Sequence, residues 1–500
     1  MKKDKVKVKN NSRKKSKKES KKNNSRKKSK KNNNKISRKL TNNLDFLVKS
    51  YDLLKDKDKN IDVDYELLKD IPYELLDELG KEKYPIVQTV NNSNNNLQLI
   101  NNKTNIYEID DLNNIIDEFD KIKKSRDIFQ KKYGVYKNTK MSHQLAMITK
   151  NMSKNLSLYI NKNFFNYDNI KGVSNAYVKL WEIYNLYMKD IIKSISSDTF
   201  SIFHTCEAPG NWIKTTEHYI KMFYPNIKYK WFANSLNPKS PINIAKYGTG
   251  IFADNLSYMK NYPDRWLFGP EDTGDITDIN NIKIFSKFSK ENNVMIITND
   301  AGLSTDMGIE LLQKLEYASV INTIACSSIG GCCIIKHFAT GYFYNENNLM
   351  KLGNGYSVNI IYLYQQYFNK VIIMKPVTSN PRSSEYYIIG IGFKGISDEE
   401  LNILYNVLQN FNNETINQCV FNKAELNTQT LSDISNGIKK ILELNLNQNK
   451  IQLLIWRCNF EENKDIQIEQ KCNDVLKYHY KFEIPLFKKW IQTNNYIPTK

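Results

Sequence analysis

The sequence predicts an α/β domain on a largely parallel sheet over about residues 136–396, with helical extensions on both sides. Two observations carry this. Short apolar runs of strand length alternate with amphipathic stretches of helical length, the pattern of strand–helix–strand units. Outside that region, apolar residues recur at spacings of three and four. LDFLVKSYDLL and YELLKDIPYELLDEL lie before it, EELNILYNVLQNF and GIKKILELNLNQ after it.

Each element follows from its own residues. GVSNAYVKLWEIYNLYMKDII is an amphipathic helix. TFSIFHTCEAPGNW is an apolar strand entering a Gly turn, and TTEHYIKMFYP continues as a helix. YKWFANSL is a strand, and NNVMIITNDAG is a strand that ends on an acid. Residues 306–326 read as a helix, and GGCCIIKHF as a strand. NKVIIMKP and EYYIIGIGF flank a Ser/Asn/Pro loop and form a last strand pair. Residues 43–135 read as an acidic helical extension with a polar loop at 91–105, and 397–500 as a helical C-terminal extension.

Charge is unevenly placed. The net +20 of the 500 residues is concentrated in Met1–Leu40, which hold 20 basic and 2 acidic residues. Residues 41–135 hold 14 basic and 19 acidic residues. Residues 1–42 have almost no apolar side chain to offset ordering entropy, so disorder is expected there. Such a tail suits a nucleic-acid arm or a localisation signal as well as a plain solubilising tail. The body, with 40% hydrophobic and 12% aromatic residues overall, can bury a core. No apolar run approaches about 18 residues, which argues against a membrane span. MKKDKVKVKN has no apolar stretch behind it, so a secretory signal is not expected. The seven Cys, Cys206, Cys326, Cys332, Cys333, Cys419, Cys458 and Cys472, form no CxxC pair and no zinc spacing. An intracellular, reducing compartment, nucleus or cytoplasm, is expected, without a metal or a disulfide-linked partner.

In open α/β sheets ligands bind beyond the carboxyl ends of the strands, and four positions fall there. Glu207-Ala208-Pro209-Gly210-Asn211-Trp212 follows a strand, and its Gly lets backbone approach a ligand while the next helix offers N–H groups. Asp300 ends the strand in ITNDAG, where a helix-capping acid is the ordinary alternative. Lys336, in GGCCIIKHF, is the most informative, because Lys is rarely buried without a partner. Burial would favour its neutral form, while nearby carboxylates would oppose that. Glu385 starts the last strand, where a surface acid on a hairpin is the ordinary alternative.

These blocks in this order, EAPGNW, ITNDAG, GGCCIIKHF and KPVTSNPRSSEYYIIGIGF, resemble the FtsJ-like ribose 2′-O-methyltransferases. The resemblance covers about residues 140–396, and its last block is the most specific. The family's Lys-Asp-Lys-Glu tetrad needs an earlier Lys, which SNAYVKLWEI supplies as Lys179. The resemblance thus implies a Rossmann-like seven-stranded methyltransferase sheet with Lys179, Asp300, Lys336 and Glu385 as catalytic residues. It implies S-adenosylmethionine as cofactor, held by Glu207, Pro209, Gly210, Asn211, Trp212, Asn234, Asp275 and Asp300. Asn211 stands where the family usually has a second glycine. Asn234 and Ser235 stand where a ribose-binding acid is usual, and Asp275 in GDITD is the candidate acceptor for the adenine amine.

The implied reaction is methylation of an RNA ribose 2′-hydroxyl, with Lys336 as general base, Asp300 and Glu385 orienting the lysines, and Lys179 facing the developing alkoxide. The implied substrate is the 5′-capped end of mRNA, as in the branch of eukaryotes and large DNA viruses. Other capping or transcription factors are candidate partners, and a viral factory or virion is the alternative location. Two further readings stay open: ribosomal or other RNA as substrate, and a non-catalytic RNA-binding or assembly subunit on a decayed methyltransferase fold.

Overall fold

Eight strands form one mixed sheet in a computed structural model of the chain. It describes residues 85–91, 104–105, 109–133, 173–248, 254, 256–302, 309–344, 350–411, 418–419, 426–460, 490 and 493–494. The basic tail, the two Leu-rich segments within 43–83 and most of the 91–105 loop lie outside the described residues. The chain divides into two compact units. The larger comprises Ile61–Tyr133, Lys150–Cys458 and Asn463–Lys500, and it contains every described residue except the last two of the final helix.

In chain order the main elements are β1 (Ile86–Val90), β2 (Thr104–Asn105), α1 (Asn113–Tyr133), α2 (Asn175–Ile195), β3 (Thr199–Thr205), α3 (Asn211–Phe223), β4 (Lys228–Asn234), α4 (Pro241–Tyr247), α5 (Tyr258–Asn261) and β5 (Trp266–Leu267). They continue as α6 (Ile279–Glu291), β6 (Val294–Asn299), α7 (Ile309–Cys326), β7 (Cys332–Phe338), β8 (Gly341–Tyr344), β9 (Met350–Gly353), α8 (Gly355–Tyr367), β10 (Phe368–Lys375) and β11 (Glu385–Phe393). Helix α9 (Asp398–Gln409), β12 (Gln418–Cys419) and α10 (Thr428–Phe460) complete them. The sheet order is β1-β10-β11-β7-β6-β3-β4-β5. Strands β5, β4, β3, β6 and β7 are parallel, whereas β11, β10 and β1 each run antiparallel to the neighbour before them. The hairpin β8–β9 and the antiparallel pair β12–β2, formed by segments far apart in the chain, lie outside this sheet.

Central strands read as continuous apolar runs because both of their faces are covered. Alternate residues feed two cores. On one face, Ile296, Cys332, Ile334, Tyr387 and Ile389 pack with Tyr177, Leu180 and Trp181 of α2 and with Trp212 and Tyr219 of α3. On the other, Ile297, Cys333, Ile335, Tyr386 and Ile388 pack with α7, α8 and α9, and with Ile434, Ile438 and Leu442 of α10. The two-residue side-chain period of a strand then fixes where the polar residues fall. Lys336 continues the series Cys332–Ile334, and Glu385 opens the series Tyr387–Ile389, so both lie on the face that α2 covers.

The sheet has one strand more than the seven expected. Its sequence, IVQTV, is only five residues long and lies beside segments of helical spacing, so nothing local marks it out. Tertiary pairing makes it a strand: β1 lies along the open edge of β10, with Ile86 opposite Lys375 and Val90 opposite Val371. Glycine at 437 lets α10 close over this addition, since a Cβ there would meet Ile373 Cδ1 at 2.8 Å and Gln88 Cβ at 3.2 Å. Among the described residues, no helix is long and apolar enough to cross a membrane. Cys206, Cys326, Cys332 and Cys333 are free thiols.

Candidate active site

Four elements bring Lys179, Asp300, Lys336 and Glu385 together. Helix α2 starts on Ser174, whose side chain accepts from the Tyr177 N–H at 3.2 Å, and one turn later it turns Lys179 toward the sheet. Lys179 Nζ donates to Glu385 Oε1 at 2.8 Å. Lys336 Nζ lies 3.1 Å from Asp300 Oδ1 and donates to the Asp300 carbonyl at 2.8 Å. Glycine at 302 permits this approach, because a Cβ there would lie 2.9 Å from Lys336 Nζ. All four side chains are largely buried, between 11% and 18% exposed, so these pairs are far less screened than surface ion pairs.

Tyr387 joins the two pairs, and the sequence reading did not single it out. Strand register puts it opposite Lys336, with Glu385 opposite Phe338. Its hydroxyl lies 3.3 Å from Asp300 Oδ1 and 3.3 Å from Glu385 Oε1, and accepts from Lys179 Nζ at 3.2 Å. One hydroxyl proton can serve only one carboxylate at a time, so Tyr387 couples the two acids. The signal was present: Glu385 and Tyr387 are two residues apart on one strand and share a face.

Lys375 is the second residue missed, although it stands in the quoted Lys-Pro block. It is fully buried, and its Nζ donates to the carbonyls of Ser383 and Glu385, each at 2.7 Å, and lies 3.4 Å from Ser379 Oγ. Ser379 Oγ in turn donates to Glu385 Oε1 at 2.8 Å. Glu182, one helical turn beyond Lys179, accepts from Val377 N–H at 2.8 Å, Thr378 Oγ1 at 2.8 Å and Trp490 Nε1 at 3.1 Å. Helix α2 therefore holds both Glu385 and the loop leading to it.

The charges shift one another. Burial pushes the Glu385 carboxyl up, but Lys179, Lys336 and Lys375 outweigh it and hold Glu385 well below the usual carboxylate range. Burial likewise pushes the Lys179 amine down, and Glu385 with Asp300 more than restores it, leaving it raised. For Lys375 burial wins: Glu385 opposes, Lys179 adds, and the amine falls to about 7. Burial, then Asp300 and Glu385, raise the Tyr387 phenol well above its ordinary value.

The residues assigned to the cofactor occupy the neighbouring carboxyl ends of β3, β4 and β6 and the loop after β5. Glu207 is buried and its Oε1 accepts the N–H groups of Trp212 at 2.6 Å and Ile213 at 3.2 Å, capping α3 from within. Burial raises its carboxyl well above the usual range, against those two donors. Pro209 follows a cis peptide, and Gly210 adopts φ +108° as the residue before Asn211 opens α3. Trp212 is buried, and its Nε1 donates to the Ala176 carbonyl at 3.1 Å. Asn234 Nδ2 donates to the carbonyls of Leu267 at 2.9 Å and Gly274 at 3.0 Å, while its Oδ1 is buried with no donor. Asp275 accepts from Thr277 through Oδ1 and from Lys246 and Tyr247 through Oδ2, the latter both at 3.2 Å. Burial raises its carboxyl, but Thr277 and Lys246 outweigh that and lower it. Among the described residues, no group of three or more His, Cys, Asp or Glu side chains could hold a metal ion.

A mixed sheet of this order is Rossmann-like, and the polar cluster lies at the carboxyl edge, where open sheets of this kind bind ligands. Residues 172–393 match the FtsJ-like methyltransferase family. An uncharacterized protein of Acanthamoeba polyphaga mimivirus is 31% identical over 243 residues, 47% of this chain and 28% of that protein. The cap-specific mRNA (nucleoside-2′-O-)-methyltransferase 2 of Mus musculus is 27% identical over 264 residues, 51% of this chain and 31% of its own. A protein of African swine fever virus, named a probable methyltransferase, is 26% identical over 261 residues, 49% of this chain and 55% of its own. The matched region thus spans from under a third to about half of these relatives.

Proposed function

We propose that the domain transfers a methyl group from S-adenosylmethionine to a ribose 2′-hydroxyl of RNA, at the 5′-capped end of mRNA. The observation that carries this reading is the pair of buried lysine–carboxylate contacts, Lys336–Asp300 and Lys179–Glu385, joined through Tyr387 on one sheet face. Similarity to a cap-specific mRNA methyltransferase supports the choice of capped RNA over other RNA.

The residues present fit the cofactor. Asn234 Oδ1 is a buried acceptor lacking a donor at the carboxyl end of β4, which a ligand hydroxyl would supply. Asp275 holds the half-exposed Lys246, and such a screened contact is weak enough to yield to a ligand amine. Gly210, Asn211 and Trp212 would flank the bound molecule at the start of α3. When bound, S-adenosylmethionine supplies a methyl group already activated on a sulfonium.

The remaining work falls to this chain's side chains. Lys336 Nζ receives the proton of the acceptor hydroxyl, which requires its neutral amine form. Asp300 fixes Lys336 through one carboxylate oxygen and one backbone carbonyl. Lys179, held charged by Glu385, stabilises the negative charge that grows on the hydroxyl oxygen. Tyr387 and Ser379 keep Glu385 aimed at Lys179, and burial of the cluster excludes water that would compete as acceptor.

The test is transfer of labelled methyl groups to capped and uncapped transcripts, with nuclease mapping of the labelled nucleotide. We expect label on a ribose near the cap. Lys336→Ala should lose about 10²–10⁴-fold in rate, the range for general-base catalysis, while still binding RNA. Absence of transfer by the wild type, with Lys336→Ala binding RNA equally well, would sink the enzymatic reading.

A further inference from the structure

Lys336 also lines a cavity of about 250 Å³, and residues beyond the family match build part of it. Lys123 and Arg126 of α1 line it, as does Arg382 in the loop before β11, together with Ser383 and Ser384. The one carboxylate in the lining, Glu316, is turned to the protein. Its Oε1 accepts from the Phe338 N–H at 2.9 Å and lies 3.7 Å from His337 Nδ1. Four cations, Lys123, Arg126, Lys336 and Arg382, thus line the cavity against Glu316, Asp300 on Lys336 and Asp127 on Arg126, a surplus of one positive charge beside the candidate base.

Arg126 is held in place in advance. Its Nη1 donates to Asn449 Oδ1 at 3.0 Å, its Nη2 lies 3.5 Å from Asp127 Oδ1, and its Nε is buried without a partner. Asn449 Nδ2 donates to the Arg382 carbonyl at 3.1 Å. Asn445, one turn earlier on α10, donates to the carbonyls of Pro381 at 2.7 Å and Ser383 at 2.8 Å. Both amides are buried, and an ion pair between Lys450 and Glu118 adds a second tie between α10 and α1. Two helices outside residues 172–393 thus fix an Arg against the loop that carries Arg382 and leads into Glu385. A guanidinium fixed by the protein loses little freedom on binding, and its planar fork suits a phosphate.

We propose that Arg126, Lys123 and Arg382 bind a backbone phosphate flanking the acceptor ribose of RNA, so that α1 and α10 complete the acceptor site. This rests on the reading of Lys336 as the base for a ribose hydroxyl. A ribose within RNA always carries a phosphate on the carbon next to the one bearing its 2′-hydroxyl. A cationic cavity sharing Lys336 with the reacting centre is placed to receive it. The hydroxyls of Ser383 and Ser384 add neutral donors for the remaining phosphate oxygens.

The test uses the full chain, a fluorescently labelled short capped RNA, and the same RNA with a neutral methylphosphonate at either side of the acceptor nucleotide. Anisotropy reads binding, and labelled methyl transfer is measured in the same samples. For the wild type, one of the two replacements should weaken binding about tenfold, and the salt slope should flatten by about 0.7, as for one phosphate contact on a single strand. Arg126→Gln should weaken binding of unmodified RNA to a similar extent and raise KM with kcat little changed. With Arg126→Gln the methylphosphonate should cost less than about twofold more, since both changes remove one contact. No effect of either replacement on the wild type, or equal losses in the wild type and Arg126→Gln, overturns the proposal. Because the replacements act on the unaltered protein, a folding defect in the variant does not decide the outcome. Coupled binding losses without methyl transfer would uphold the phosphate site and sink the methyltransferase reading, and transfer without coupling would do the reverse.

Discussion

Replacing Lys375 with Met should change how stability depends on pH, by an amount set by its burial. The amine is fully buried and titrates at about 7 in the folded protein, against an ordinary 10.5. Between those values the unfolded chain binds a proton that the folded chain does not, so stability rises with pH through the window. Below about 7 both states carry the proton, and the contribution is constant and unfavourable. The full displacement corresponds to about 5 kcal/mol at about 1.4 kcal/mol per pH unit. From about pH 6 to about pH 9 the wild type should therefore gain about 3 kcal/mol from this group, and Lys375→Met should gain nothing from it. Urea unfolding of both proteins at the two pH values measures this, because other titrating groups cancel in the difference. A wild-type-minus-variant difference that stays within about 0.5 kcal/mol would refute the reasoning and place a charge-stabilising partner at Lys375.

Three other outcomes follow from the same contacts. Tyr387→Phe keeps the ring against Trp212 but removes the hydroxyl between the two acids; kcat should fall about 10–100-fold with KM for RNA within about twofold, as one hydrogen bond to charged groups is worth about 1.5–3 kcal/mol. Glu182→Gln leaves the N–H groups of Val377 and Thr378 and the Trp490 indole competing for one oxygen; thermal and urea unfolding should show a loss of about 3 kcal/mol. Deleting residues 1–40, with their surplus of 18 positive charges, should flatten the salt dependence of RNA binding without changing kcat, and an unchanged slope would assign the tail to something other than RNA affinity.

Much of the central architecture was legible because parallel strands covered on both faces must be apolar throughout. SIFHT, VMIITN and CCIIKHF stand out for that reason, and Lys336 stands out against its own strand. What local pattern could not give was anything decided by a partner far along the chain. Strand β1 exists because β10 offers an open edge, and Lys375 is buried because the carbonyls of Ser383 and Glu385 return to its ammonium group. Asn445 and Asn449 carry no distinguishing signal in a chain so rich in Asn, yet both are buried under the loop before β11. Glu207 and Asn234 were legible by position but not by direction. Each sits at the expected strand end, and each spends hydrogen bonds on the protein's own backbone.

Charge shows the same division between what a count reveals and what placement decides. The net +20 is carried mainly by the tail, whereas the candidate site depends on five groups. Lys179, Lys336 and Lys375 face Asp300 and Glu385, three amines against two carboxylates. Below about pH 7 Lys375 adds a positive charge behind Glu385, and above it that charge is lost, leaving two amines and two carboxylates. With Lys336 in the neutral form that accepts a proton, Lys179 then faces two carboxylates, and that negative surplus in a water-poor setting favours arrival of the proton on Lys336. The third amine can give up its charge near neutral pH because its amine group is directed at backbone carbonyls rather than at a carboxylate. Burial therefore decides its charge, and a count of lysines cannot show that.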